Sequence, residues 1–60
     1  MAKWIVRTYL PNTPDPIVDE FDDDAQKNTI VEALRVSMRA GEIAYIEVEE
    51  PATGGLARIT

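Results

Sequence analysis

A single small α+β domain is the fold class this sequence predicts, and three observations carry the prediction. The chain has 60 residues, enough for one domain and near the lower limit for folding alone. It contains one apolar stripe at helical spacing. Around that stripe lie several short runs rich in β-branched and aromatic side chains, parted by Pro and Gly. A chain of this length buries only about 60% of the surface its unfolded form exposes. Small domains therefore lean on disulfides, a metal or a second subunit. With no Cys and no His in the sequence, oligomerisation is the support left available.

The elements follow in order. Residues 3–10, Lys-Trp-Ile-Val-Arg-Thr-Tyr-Leu, read as a strand. Pro11, Pro14 and Pro16 end it, because each lacks a ladder donor and fixes its own backbone. Ile17 to Phe21 is a second extended run that can return as a hairpin partner. A helix is expected over about 24–40. Its stripe is Ile30, Val31, Leu34 and Met38, flanked by Ala33 and Ser37, with Asn28, Glu32, Arg35 and Arg39 opposite. Two starts compete: a capping box of Asp23 with Gln26, or one of Thr29 with Glu32. Acids before residue 25 suit the positive N-terminal pole and favour the longer helix. Gly41 offers a C-terminal stop. Glu42 to Glu49 and Leu56 to Thr60 read as two further strands, joined through the turn chemistry of Glu50-Pro-Ala-Thr-Gly-Gly55. The predicted order is β-(β)-α-β-β, an antiparallel-rich sheet with one helix on one face.

One helix leaves the other face of such a sheet uncovered. If Val6 and Ile46 meet the helix, alternation sends Ile5, Tyr9, Ile43 and Tyr45 to the far side, bordered by Glu47 and Glu49. These six are the candidate partner-binding residues. Contiguous apolar surface marks contact sites, and Tyr suits them with an apolar ring and a polar tip. A scatter of exposed apolar side chains is the plainer alternative. The expected partner is another protein or a second copy of the chain.

Charge narrows the partner class. Eleven acids against six bases give −5, which argues against sequence-independent nucleic-acid binding. Residues 11–24 carry six acids and no base. Asp19, Glu20, Asp22, Asp23 and Asp24 form a candidate acidic patch. Together with Asp15, Glu47, Glu49 and Glu50 it offers either solubility or an imitation of a phosphate rail. As a calcium loop the segment fails, since counting from Asp19 puts Asp24 at the sixth position and Ile30 at the twelfth. Trp4, Tyr9 and Tyr45 on strands would suit RNA stacking, but Glu47 and Glu49 stand where bases are wanted.

Catalytic chemistry has little material. Ser37 is the sole serine and flanks the helical stripe, and Lys3 and Lys27 adjoin no evident partner. Gly54-Gly55 lies between strands and not before a helix, so it is no phosphate loop. No enzyme activity, cofactor or metal is expected. No stretch reaches the roughly 18 apolar residues of a membrane span. Arg7 and Pro11 interrupt any signal-like run from Met1-Ala-Lys-Trp4, and the expected location is cytoplasmic.

The segments Ile30-Val-Glu-Ala-Leu-Arg, Arg39-Ala-Gly-Glu-Ile-Ala-Tyr-Ile-Glu-Val and Pro51-Ala-Thr-Gly-Gly-Leu-Ala-Arg-Ile resemble the helix-plus-hairpin half of short accessory proteins of bacteriophages and their actinobacterial hosts. The resemblance covers about half the chain and transfers no functional residue. It implies a setting in which small proteins bind and inhibit a host or defence protein, anti-CRISPR proteins among them. The alternatives to such a binding module are a small virion or assembly component and a small-ligand sponge in a dimer cleft.

Overall fold

In a computed structural model, described over residues 3–60, the chain forms β1 (Trp4–Tyr9), β2 (Ile17–Phe21), α1 (Asp24–Arg39), β3 (Tyr45–Glu49) and β4 (Leu56–Ile59). Met1 and Ala2, where the N-terminal reading begins, lie outside the described residues. The four strands make one antiparallel sheet in the order β2-β1-β3-β4. Ile17–Phe21 does pair with β1, and the two hairpins join through the central β1–β3 ladder.

The helix starts where the Asp23–Gln26 box places it. Asp23 has extended backbone and its Oδ1 accepts from the Gln26 amide at 2.7 Å, satisfying one of the orphan donors of the first turn. Thr29, the rival start, sits mid-helix and donates its hydroxyl back to the Ala25 carbonyl at 3.0 Å. At the other end Gly41 takes φ +83°. Its amide donates to Met38 and the Glu42 amide donates to Ser37, both at 3.0 Å, closing a Schellman motif.

The core lies between α1 and the two central strands. Val6 and Ile46 are fully buried, joined by Val31, Val48 and Ile43, with Trp4, Leu10, Phe21, Leu34, Met38 and Ile59 packed around them. Val6 and Ile46 therefore meet the helix, the condition on which the open-face assignment depended. Ile43 is a correction. It is buried in the core and does not reach the open face. Strand alternation does not apply to it, because β3 begins only at Tyr45 while residues 41–43 are still leaving the helix cap. Ala44, which strict alternation from Ile46 would turn toward the helix, is exposed, and its amide donates to the Tyr9 carbonyl at 2.8 Å to open the β1–β3 pairing.

The helix leans over β1 and β2, and β4 is left without a helix above it. Principal extents of 33 × 22 × 15 Å fit a two-layer slab with one bare sheet face. Among the described residues no helix is long and apolar enough to cross a membrane.

Candidate functional site

The uncovered sheet face is built by the residues that alternate with the core. Residues opposite each other on antiparallel strands point to the same side. The register therefore lays three rows across the sheet. One row runs Glu20, Ile5, Glu49, Leu56. The next runs Val18, Arg7, Glu47, Arg58. The third pairs Tyr9 with Tyr45. Five of the six predicted contact residues, Ile5, Tyr9, Tyr45, Glu47 and Glu49, thus share this face, and Ile43 does not.

The face is a mixed surface, not an apolar patch rimmed by acids. Arg7 reaches diagonally to Glu49 with Nη2 to Oε1 at 3.3 Å, both side chains about 30% exposed. Tyr9 and Tyr45 stack with centroids 4.5 Å apart and planes 14° from parallel. From the opposite neighbouring strand, the Arg58 guanidinium lies over the Tyr45 ring at 4.6 Å. Tyr45 is thereby clamped between β1 and β4. Glu47's carboxylate, next to the Tyr9 hydroxyl as an acceptor for its neutral form, holds that phenol above its ordinary 10.0. Reduced solvation and the negative charge of Glu47 push the same way, against the weaker pull of Arg7.

Sequence reasoning missed Val18, Leu56 and Arg58 as members of this face. Val18 and Leu56 are more than half exposed. The signal was present in the alternation of the outer strands, but it has no meaning until those strands are paired to β1 and β3.

The candidate acidic patch divides in the fold. Glu20 joins the open face, while Asp19, opposite Val6, points to the helix side of the sheet. Asp22 pairs with Lys3 at 3.7 Å, Asp23 caps the helix, and Asp24 pairs with Lys27 at 3.1 Å. No continuous carboxylate rail joins these acids to Glu47, Glu49 and Glu50. Among the described residues no group of three or more acids could hold a metal ion.

A concavity lies on the helix side, where α1 stops short of β4. It is a groove of about 430 Å³ with Trp4, Val31, Val48, Ala57 and Ile59 among its walls. Each charge at its rim has a partner, Glu50 accepting from the Thr53 hydroxyl at 3.0 Å. Lys27 stands over Trp4 at 4.2 Å while paired to Asp24, and Arg35 pairs with Glu32 at 3.6 Å. Compared with protein-family models, curated proteins and solved structures, the chain matches none.

Proposed function

We propose that this protein is a non-enzymatic binding module whose working surface is the open sheet face, with a protein as its partner. The supporting observation is the Tyr9–Tyr45–Arg58 stack. Tyr and Arg are the residue types that dominate protein–protein contacts, and here they are held in place on rigid strands before any partner arrives. Both faces of the Tyr45 ring are occupied, which weighs against a base-stacking role. Interleaved Glu20, Glu47, Glu49, Arg7 and Arg58 suit a partner with charges of both signs, and such a pattern is compatible with a second copy of the chain. A twofold dimer through this face is the finer form of the proposal. The role of inhibitor in a phage setting rests on the resemblance of the helix-plus-hairpin segment alone.

The test pairs sedimentation with affinity capture from lysate of the source organism, using wild type and Tyr45→Asp. Tyr45→Asp places a carboxylate inside the stack and beside Glu47 without touching the core. A dimer, or a captured protein, present with wild type and lost with a folded Tyr45→Asp supports the reading. A wild type that is monomeric and captures nothing, or capture that ignores Tyr45→Asp, sinks it.

A further inference from the structure

The two edges of the sheet are unlike. β4 is short and carries Arg58, already engaged on Tyr45. β2 is one residue longer, and four of its five residues are exposed. Beyond β2 no further strand lies among the described residues, so its outer row of backbone N–H and C=O groups has no ladder. There is no Pro within Ile17–Phe21, no Lys and no Arg. Two of its three large apolar side chains point to opposite faces and remain open, Ile17 at 52% and Val18 at 55% exposure, while Phe21 packs against the core.

What does mark this edge is negative charge. Asp19 and Glu20 sit side by side on opposite faces of the strand, and Asp15 precedes them. Among the described residues none of the three has a salt-bridge partner, whereas Asp22 and Asp24 do. Self-pairing of β2 about a twofold axis is disfavoured in the registers centred on its three middle residues. Centred on Asp19 or Glu20, it sets that carboxylate against its own copy. Centred on Val18, it brings Pro16, which has no N–H, into the ladder opposite Glu20.

We infer that the outer edge of β2 accepts a basic extended segment of a partner protein as a fifth strand, with Lys or Arg set beside Asp19 and Glu20. Main-chain bonding supplies the attachment and the alternate side chains supply the selection. Ile17 and Val18 would be covered by apolar side chains of the incoming strand, one on each face. The edge shares Val18 and Glu20 with the open face but no residue of the Tyr9–Tyr45–Arg58 stack, so either can fail without the other.

The probe is a capped synthetic peptide, Thr-Val-Arg-Lys-Val-Val, which in antiparallel pairing sets Arg beside Glu20, Lys beside Asp19 and a Val beside each of Val18 and Ile17. Two further versions carry N-methyl groups on one or the other alternate set of amides. Binding is followed by backbone amide shifts and by protection of residues 17–21 from exchange. The expected result is saturable shifts confined to β2 and its flanks. One N-methyl version should bind at least about tenfold more weakly than the other, because only one set of amides faces the edge. Asp19→Lys with Glu20→Lys should reverse the preference toward a peptide with Glu in place of Arg-Lys, with spectral dispersion showing that the fold is kept. Equal binding of both N-methyl versions would reduce the site to charge attraction and overturn the inference. So would shifts centred on β4 or the open face, or no saturable shift of the 17–21 amides.

Discussion

Tyr9 stands at the corner of the open face, with Tyr45 against its ring and the Glu47 carboxylate beside its hydroxyl. The two contacts act on different properties. Stacking orders the ring, while Glu47 favours the protonated phenol and opposes the phenolate, which would set two negative charges side by side. A phenol whose folded pKa lies above its unfolded value of 10.0 adds stability that is fully present below about pH 10. That contribution is lost as pH rises through the folded pKa, so it shapes only the alkaline limb. Replacing Glu47 by Gln should lower the Tyr9 titration midpoint and flatten the alkaline loss of stability. The phenolate absorbance of Tyr9, followed in a Tyr45→Phe background that keeps a stacked ring, reads this directly. Identical midpoints with Glu and with Gln at position 47 would remove Glu47 as the cause.

Among the elements, the helix shows why some of the fold was legible and some was not. Its signals are local: a stripe, a cap at Asp23 and a stop at Gly41 all act within a few residues, and the observed helix differs from the expected one only in its last residue. β3 starts later than expected because Ile43 continues the apolar run of Tyr45 and Ile46 while the Gly41 and Glu42 amides still close the Schellman turn. Composition reports preference, and here the cap decides. Lys27 was read as a lone charge, yet it belongs to the packed side of the helix, its side chain only 14% exposed over Trp4 and its ammonium paired with Asp24. The two rival starts make a clean comparison. Asp23→Ala removes the acceptor for the Gln26 amide and should cost about 1 kcal/mol. Thr29→Ala replaces a mid-helix residue by a better helix former, so it should cost nothing and could gain a few tenths, about 0.3 kcal/mol. Urea unfolding of the two variants measures both. A Thr29→Ala loss equal to that of Asp23→Ala would mean that the first turn is not formed in solution.

On the scale of the whole molecule, the strand order governs what every side chain does. β1 and β3 are far apart in sequence and adjacent in the sheet, so each has neighbours on both sides while β2 and β4 are edges. No local pattern announces that order. It follows from burying Val6, Ile46 and Val48 under a single helix, and it is why the members contributed to the open face by β2 and β4 escaped a reading made strand by strand. Ile5 and Ile46 test the arrangement because they are the same residue type on the two central strands with opposite parity. Ile46 is fully buried, so Ile46→Ala should cost about 2–5 kcal/mol through lost transfer energy and the cavity left behind. A 60-residue domain holds about 3–9 kcal/mol in all, at 0.05–0.15 kcal/mol per residue, so this variant should lose a large share of its stability and unfold outright if the total lies at the low end. Ile5 is only half-buried on the bare face, and Ile5→Ala should cost less than about 1 kcal/mol in the isolated chain. Denaturant unfolding at two protein concentrations separates the cases. A small, concentration-independent loss places Ile5 on a face open to solvent. A loss rivalling that of Ile46→Ala, shrinking as the protein is diluted, would mean that a second copy covers the face in solution and that Ile5 is part of what it covers.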